Sequence, residues 1–444
     1  MTGGPTRVVM IGGGYATLHA CRALLRRRTG AEVQVTVVSS DDCHNFHGFT
    51  GEVVAGLLPQ EITRTPLTDV LGRAVLIHGE VISVDPVRRT VLVRPMRAAA
   101  PQLVPYDELV VASGAREPVD AVPGMAEYGF TLRAPGQFGR FLNRLSVVAE
   151  TGSAGLPRRR SVRGCSVAAG DTAASVVITG GGMAGVELAA AVADRLKSTG
   201  ARNPVVLVQS GETVLSELRR HRPAVAAQAD RELGRLGVRV RTGERVTAVH
   251  ADRVTLSDGS QLPAAAVLAT NGQRPNALPG LESLPHDRLG RLVTDGNLSV
   301  APGIWAAGDA ARVAHPTTGE PVPANALWAI KAGGHLGRNL SRVTGNRRPR
   351  AFGYRGLGQA MGFGIGRSAT ELYGVPINGA AGWILRLAFF LRFMPSRRRA
   401  VSVLGSLMSL PIRGRFVAHN ADSAGRSGAA AQGDRHSVGA GTAA

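Results

Sequence analysis

The chain has 444 residues, which is too long for one ordinary hydrophobic core and indicates two or three domains. Its hydrophobic content of 44% is that of a globular protein, so a largely disordered chain is excluded. The formal net charge of +20 favours anionic surfaces such as lipid headgroups or nucleic acid, although a solvated basic surface is the simpler interpretation.

Cysteine usage and hydropathy exclude further classes. The cysteines are Cys21, Cys43 and Cys165, and no two of them have the short spacing of a redox dithiol or a metal site. We therefore predict no metal centre. The N-terminus lacks the charged and apolar regions of a secretory signal, and no run of 18 apolar residues predicts a membrane-spanning helix.

The first predicted element is an apolar strand that runs into a glycine loop. Residues 7–11 read Arg-Val-Val-Met-Ile, and residues 12–14 are all glycine. A helix is predicted over residues 17–28 and a second strand over residues 33–38. A strand, a glycine turn and a helix in this order direct backbone N–H groups and a helix N-terminus at a phosphate.

The same pattern occurs again in the middle of the chain. Residues 175–179 predict a strand, residues 180–185 a second glycine loop, residues 185–197 a helix and residues 204–209 the next strand. Before this unit, residues 151–174 are rich in Gly, Ala, Ser and Arg and predict a linker or a long insertion. The repeated unit predicts an α/β protein with parallel sheets and helices on both faces.

A third signature lies far downstream, where residues 304–310 read Ile-Trp-Ala-Ala-Gly-Asp-Ala. Gly-Asp pairs are common turn formers, which is the simpler interpretation. The pair Gly308-Asp309, however, follows an apolar strand and precedes a helix predicted over residues 324–340. That position favours a cofactor-binding aspartate.

Several ordered signatures accompany these loops. With them, from about Arg7 to about Arg415, the chain resembles the two-dinucleotide-binding-domain flavoproteins of the pyridine nucleotide:disulfide oxidoreductase superfamily. It is most similar to type II NADH dehydrogenases, and next to the apoptosis-inducing-factor-like reductases. The further signatures are residues 42–46 (DCHNF), 55–58 (AGLL), 106–114 (YDELVVASG) and 271–276 (NGQRPN).

The resemblance implies an α/β fold of two Rossmann-like domains, in which the nicotinamide domain is inserted into the flavin domain. It places the flavin domain at residues 6–125 and 276–348, and the nicotinamide domain at residues 126–275 with the basic insertion 151–174. Residues 349–418 would form a C-terminal membrane-associating region. Residues 419–444 are small and polar and predict a disordered tail.

The resemblance also implies that FAD lies against the first glycine loop and the Gly308-Asp309 turn. Thr17 stands where the family has a third glycine, and Ser39 stands where it has a carboxylate for the adenosine ribose. Asp41 or Asp42 could substitute for that carboxylate. The predicted FAD-binding residues are Gly12, Gly14, Thr17, Ser39, Val81, Ser113, Gly114, Asp309 and Leu327.

The second loop is predicted to hold NADH, with NADPH as the alternative. Gln209 replaces the acidic residue that rejects the 2′-phosphate of NADPH, and no dedicated arginine clamp for that phosphate is evident. The family places Glu187 beside the nicotinamide, where it is a catalytic candidate. The predicted NAD-binding residues are Gly180, Gly182, Gly185, Glu187, Gln209 and Gly272.

The electron exit departs from the family pattern. Type II enzymes carry two glutamines close to the quinone on the helix after the Gly-Asp signature, and this chain has Leu327 and Lys331 at those positions. Lys331 is a catalytic candidate that could contact a quinone or an acidic acceptor. A solvated lysine on a helix is the alternative.

Residues 382–394 form an apolar, aromatic run that Arg397, Arg398 and Arg399 follow. The run is too short to span a bilayer, but it could lie in an anionic membrane surface while its arginines reach the headgroups. A buried or homodimer-forming helix is the alternative. We expect a cytoplasmic protein that is peripheral on the inner face of the cell membrane.

The predicted activity is an FAD-dependent NAD(P)H oxidoreductase that takes hydride from NADH and passes electrons to a quinone. One alternative is a soluble apoptosis-inducing-factor-like reductase of a small iron protein. Another is a non-enzymatic flavoprotein that senses redox state or binds nucleic acid. Only the net charge suggests a nucleic-acid partner, so we do not expect one.

Overall fold

The structure is a computed structural model that describes residues 4–26, 32–98, 100–153 and 173–413. Nearly all of the predicted insertion 151–174 lies outside the described residues. So do the predicted tail 419–444 and Cys165.

The N-terminal part, up to residue 153, contains strands and helices that belong largely to one sheet and its covering layers. Its strands are β1 (Thr6–Ile11), β2 (Val33–Ser39), β3 (Cys43–Asn45), β4 (Arg64–Pro66), β5 (Val75–Asp85), β6 (Thr90–Pro95), β7 (Gln102–Pro105), β8 (Glu108–Val111) and β9 (Ala115–Arg116). Its α-helices are α1 (Tyr15–Leu25), α2 (Thr50–Val54), α3 (Met125–Tyr128) and α4 (Gln137–Ser153).

The middle part, from residue 173, builds a second sheet. Its strands are β10 (Ser175–Thr179), β11 (Val205–Gln209), β12 (Arg239–Thr242), β13 (Val246–Val249), β14 (Arg253–Leu256), β15 (Gln261–Ala269) and β16 (Arg274–Pro275). Its α-helices are α5 (Met183–Ser198), α6 (Ser216–His221) and α7 (Pro223–Leu236).

The C-terminal part returns to the first sheet and then adds a small hairpin sheet and helices. Its strands are β17 (Leu292–Val293), β18 (Ser299–Ala301), β19 (Ile304–Ala306), β20 (Ala311–Arg312), β21 (Gly358–Gly362), β22 (Ser368–Leu372) and β23 (Val375–Pro376). Its α-helices are α8 (Ala326–Val343), α9 (Gly379–Phe393) and α10 (Arg397–Arg413).

The first sheet has the strand order β18-β19-β8-β1-β2-β5-β6-β7. Strands β19, β8, β1, β2 and β5 are mutually parallel, whereas β5, β6 and β7 form an antiparallel meander. Val8, Val9, Met10 and Ile11 of β1 are all buried, as expected for a parallel strand covered on both faces. Because β19 pairs with β8, the Gly308-Asp309 turn reaches the edge where β1 ends.

The second sheet repeats this arrangement in the order β12-β11-β10-β15-β14-β13. Strands β12, β11, β10 and β15 are parallel, and β14 and β13 continue from β15 in antiparallel pairs. Every residue of β10 is buried. The prediction of an α/β fold with a dinucleotide-binding unit in each half is confirmed.

Helices α1 and α8 lie backbone to backbone. A Cβ atom at Gly333 or Gly337 of α8 would collide with the carbonyl oxygen of Ala16 or Ala20 of α1. Only glycine allows two helices to approach this closely. Since α1 follows the first glycine loop and α8 follows Asp309, both helices begin at the same edge of the first sheet.

Helix α9 is neither fully buried nor fully exposed. Phe390 and Leu391 pack on the core, whereas Ile384 is 59% exposed. Among the described residues, no helix is long and apolar enough to cross a bilayer. The expectation that the arginines of this run reach headgroups is wrong for Arg386, which is 3% exposed because it lies between buried carboxylates.

Candidate active site

The first glycine loop opens onto a cavity of about 480 Å³ at the carboxyl edge of the first sheet. The end of β8, the Gly308-Asp309 turn and the first turn of α8 form its other walls. Six of the predicted FAD-binding residues line this cavity, namely Gly12, Gly14, Ser39, Ser113, Gly114 and Asp309.

The geometry of this loop fits a pyrophosphate. Gly12 has a φ of +105°, and a Cβ there would collide with the carbonyl oxygen of Ala112 at the end of β8. Gly14, directly before α1, has open space where a side chain would be. The N–H groups of the first helical turn therefore face free volume, which suits a phosphate group.

His44 supports the loop from below. Its Nδ1 lies 3.1 Å from the carbonyl oxygen of Gly13, and because a carbonyl only accepts, Nδ1 carries the proton. Burial lowers the pKa of His44 to about 4, so the ring is neutral near pH 7. Its Nε2 is a buried acceptor without a partner among the described residues, and the ring lines the cavity. This orphan acceptor fits the hydroxyl groups of a dinucleotide.

At the end of β2, Ser39 and Asp41 take the place of the missing acidic residue. Ser39 is buried, and its Oγ accepts a hydrogen bond of 3.3 Å from the N–H of Asp41. Asp41 lines the cavity together with Ser39 and Ser40. Asp41, but not Asp42, therefore lies at the cavity wall, and its role as the substitute carboxylate stays a prediction.

Arg133 joins the cavity wall, and our sequence interpretation missed it. It donates a hydrogen bond of 2.8 Å to Oδ2 of Asp309. Asn325 caps α8 by accepting from the N–H of Trp328 at 3.0 Å, and it lines the same cavity. The carboxylate of Asp309 is thus held in place, and the positive end of α8 faces the cavity.

Three predicted FAD residues do not line this cavity. Thr17 is fully buried within α1. Val81 is half-buried in β5 and packs against the core of the first sheet. It lies three residues after His78, which pairs with Ser39 at the end of β2. Leu327 is half-buried in the first turn of α8.

The second glycine loop opens onto a cavity of about 320 Å³ in the other half of the molecule. Gly180, Gly182, Gln209 and Gly272 line it. Gly180 has a φ of +107°, close to that of Gly12 in the first loop. Gly185 is buried instead, and a Cβ there would collide with the carbonyl oxygen of Gly180. Its role is therefore close packing of the helix on the strand.

The second cavity is lined by a carboxylate, that of Glu244, which our sequence interpretation did not find. Gln209 folds over the loop, where its Oε1 accepts a hydrogen bond of 2.7 Å from the N–H of Gly181. Glu244 and Arg245 also line the cavity, and Glu244 lies 2.9 Å from Arg241. Glu244 follows β12, beside the end of β11, so the acid comes from the neighbouring strand.

Glu187 does not line either cavity but belongs to an ion cluster with Arg386 and Glu52. Its Oε1 accepts from Arg386 of α9 at 2.6 Å and from the N–H of Gly362 at 3.0 Å. Arg386 also binds the carboxylate of Glu52 in α2. Burial raises the pKa of Glu187, although the charge of Arg386 opposes that increase.

Lys331 lies one turn beyond Leu327 on α8. Its Nζ is 5.4 Å from the ring centre of Tyr354 and 5.8 Å from that of Phe393 in α9. The aromatic rings hold the ammonium group by cation–π attraction. Lys331 therefore lies where α8 meets the C-terminal helices.

The described cysteines are unpaired thiols. Cys43 lines the first cavity, and its pKa is raised mainly by burial. Burial raises the pKa of Cys21 to about 11. Both thiols are therefore protonated near pH 7, which is unfavourable for nucleophilic chemistry.

Curated relatives span most of the chain. An NADH dehydrogenase-like protein of Mycobacterium tuberculosis is 34% identical over 322 residues, covering 69% of this chain and 73% of that protein. A demethylphylloquinone reductase of Synechocystis is 25% identical and covers 93% of this chain and 98% of its own length. A type II NADH:quinone oxidoreductase of M. tuberculosis is 26% identical, covering 90% of this chain and 86% of its own length.

Among solved structures, NDH2 from Plasmodium falciparum in complex with NADH has the same fold, with a TM-score of 0.78 at 13% identity. The match covers 92% of this chain and 99% of that protein. The family model for pyridine nucleotide-disulphide oxidoreductases matches residues 6–333. The chain belongs to the pyridine nucleotide-disulphide oxidoreductase family.

Proposed function

We propose that the protein is an FAD-dependent NADH:quinone oxidoreductase of the type II NADH dehydrogenase kind. The observation that carries this function is the pair of glycine loops, Gly12–Gly14 and Gly180–Gly182, each opening onto its own cavity. Relatives named as type II NADH:quinone oxidoreductases and demethylphylloquinone reductase, which match nearly the whole chain, support a quinone as the acceptor.

The residues of the first cavity bind and orient the flavin cofactor. The N–H groups before α1 hold the pyrophosphate, Asp41 and His44 face the adenosine part, and Asp309 with Arg133 holds the polyol chain. The N-terminus of α8 stabilises negative charge at the reacting ring. When bound there, FAD would supply the capacity to accept a hydride from NADH and to pass two electrons to the quinone.

The residues of the second cavity select and position NADH. The loop Gly180–Gly182 holds its pyrophosphate at the N-terminus of α5. Gln209 is bound to the loop itself, so Glu244 is the acid that disfavours a 2′-phosphate, and NADH is preferred to NADPH. Glu187 lies beside the nicotinamide.

We infer that the acceptor approaches from the side of α8 where Lys331 contacts Phe393 of α9. Helices α9 and α10 then attach the protein to the inner face of the cell membrane. Exposed apolar side chains on these helices are Ile384, Val401, Leu404 and Met408, with exposed Arg397 and Arg398 beside them. Apolar groups and arginines in this combination suit an anionic bilayer surface.

In domain terms, residues 6–125 and 276–348 form the flavin domain, and residues 126–275 form the nicotinamide domain. Residues 349–418 form the membrane-associating region. The sheet order supports this division, since β18 and β19 join the sheet that contains β1, whereas β10 to β15 form a separate sheet.

The test is the visible spectrum of the purified protein before and after NADH, in the parent and in two matched variants. Neither Gly14 nor Gly182 has protein atoms where a Cβ would be, so valine at either position obstructs only the bound nucleotide. We expect Gly14→Val to lose FAD. We expect Gly182→Val to keep FAD but to lose bleaching by NADH by at least 100-fold.

Equal bleaching in Gly182→Val and the parent would contradict the nicotinamide site. Bleaching by NADH without reoxidation by a soluble quinone would favour a small iron protein as the acceptor. A colourless protein that shifts DNA in a salt-dependent way would favour the nucleic-acid alternative.

A further inference from the structure

Arg386 connects three separate parts of the chain. Its guanidinium donates to Glu52 of α2, to Glu187 of α5 and, at 3.0 Å, to the carbonyl oxygen of Gly48. It is 3% exposed, and its carbon Cζ lies 4.6 Å from the ring centre of Phe390, one turn further along α9. The planar fork of an arginine can satisfy several acceptors together, which an ammonium group cannot do in the same geometry.

The position of this cluster relates it to both cavities. Gly48 directly follows His47, which lines the first cavity. Glu187 lies in the second turn of α5, and α5 begins directly after Gly182, which lines the second cavity. The cluster therefore connects the two walls between which a nicotinamide must meet a flavin.

The orientation of Glu187 depends on partners outside its own domain. Its carboxylate accepts from Arg386 and from the N–H of Gly362 at the end of β21, and both belong to the C-terminal region. Glu52 brings a second carboxylate to the same arginine, so the cluster has one more acid than base. Without Arg386, the buried Glu52 and the partly exposed Glu187 would both lose their cation.

We propose that Arg386 is a positioning residue that orients Glu187 and keeps it ionised, so that α9 completes the nicotinamide half of the active site. This inference rests on the proposed function, because it takes Glu187 to lie beside the nicotinamide. In this arrangement α9 serves the hydride-transfer site as well as the protein surface.

The proposal has a pH signature with a defined sign. Burial raises the pKa of Glu187, the charge of Arg386 lowers it and the charge of Glu52 raises it. Loss of Arg386 therefore moves the ionisation of Glu187 to higher pH, because the nearby opposite charge that favours the ionised form is removed. Loss of Glu52 alone moves it to lower pH.

The experiment measures the rate of flavin bleaching by saturating NADH against pH, by stopped flow and without an acceptor. Glu52→Gln is compared with the double variant Glu52→Gln/Arg386→Gln, which leaves one carboxylate rather than two without a cation. Glu187→Gln identifies the limb of the profile that belongs to Glu187. Arg392→Gln is the control, because Arg392 is an exposed arginine of the same helix.

We expect the limb to move upward by about one to two pH units between Glu52→Gln and the double variant. It should disappear in Glu187→Gln and stay in place in Arg392→Gln. Arg386→Lys, which keeps the charge but not the fork, is the milder second variant if the double variant does not retain FAD. Its limb should also move upward, by a fraction of a unit.

The inference would be overturned if the Glu187 limb of the pH profile stayed in place in Arg386→Lys and in any double variant that retains FAD. Arg386 would then have only a structural role. A limb that persists in Glu187→Gln would overturn it as well. A parent protein that NADH does not bleach at any pH would overturn the proposed function, and this inference with it. If NADH bleaches the parent but the limb does not depend on Arg386, the inference is overturned and the proposed function is not.

Discussion

At the residue scale, the ion pair between Asp309 and Arg133 lies in the wall of the first cavity. Asp309→Asn keeps the shape of the side chain but removes charge-assisted hydrogen bonds, each worth roughly 1.5–3 kcal/mol. We expect FAD affinity to fall by about 10- to 100-fold, measured as the ratio of flavin to protein after gel filtration.

The matched control for this substitution is Asp107→Asn. Asp107 forms a similar pair with Arg7, at 2.8 Å, but outside the cavity. It should retain the FAD content of the parent. Equal FAD content in Asp309→Asn and the parent would remove Asp309 from the flavin site.

His44 makes stability depend on pH. Its pKa falls from 6.5 in an unfolded chain to about 4 in the folded protein, because burial disfavours the charged ring. Between these values the unfolded chain binds the extra proton, so the free energy of unfolding decreases as the pH falls from about 6.5 towards 4. The full effect is roughly 3 kcal/mol.

The variant His44→Asn retains a donor for the carbonyl of Gly13 but does not titrate. We expect it to show a smaller loss of melting temperature between pH 7 and pH 5 than the parent. His286→Asn replaces an exposed histidine and serves as the control. An identical pH dependence in His44→Asn and the parent would show that the ring does not control stability.

The residues that the sequence predicted well are those whose role depends on the local backbone. Gly12 and Gly180 adopt positive φ angles in loops that directly follow strands, so a short motif is sufficient to find them. Arg133 and Arg386 act through partners 176 and 199 residues away, which spacing along the chain does not indicate. Val81, whose place in the FAD site came from the resemblance, packs against the core, and its role stays a prediction.

At the element scale, α10 packs Val403 and Leu410 into the core but also presents apolar side chains to solvent. Val401 and Met408 are each 71% exposed, two turns apart on one helix. We expect Val401→Asp/Met408→Asp to abolish cosedimentation with vesicles containing phosphatidylglycerol. Burial of apolar area, at about 25 cal/mol per Å², and attraction of arginines to the anionic surface are both reduced.

Flavin bleaching by NADH should be unchanged in this variant, because α10 does not contribute to either cavity lining. Val87→Asp is the control for an added acid, because Val87 is 93% exposed and lies far from α10 in the sequence. Deletion of α9 would be a poor substitute, since it also removes Arg386. Full binding of the double variant at low salt would instead favour a homodimer surface on α10.

Elements of the glycine-loop units were predictable because strand and helix periods alternate clearly there. Helix α8 was expected over residues 324–340 and spans Ala326–Val343. The antiparallel strands β6 and β7 were not predicted. They are short, and β7 is largely exposed, so hydrophobic periodicity is weak and pairing partners decide the structure.

At the scale of the whole molecule, the two halves repeat one strand, glycine-loop and helix unit and share a hydrophobic core cluster, to which specific contacts add. Strand β9 pairs with β16, and Arg386 joins α2 to α5 through α9. The sequence predicted the two halves from their repeated motifs. It did not predict the joints, because each joint depends on residues that are far apart in the chain.

The close contact between α1 and α8 has a consequence for the order of synthesis. The first sheet and its helix α1 obtain their remaining partners only when β19 and α8 have been made. Val343, where α8 ends, lies 328 residues after Tyr15, where α1 begins. At typical elongation rates this interval is about 15 to 65 s. The second sheet, whose strands are consecutive in the chain, can close during that time. The nascent flavin half therefore waits with one apolar face open while the nicotinamide half folds, and a chaperone would find its binding site there.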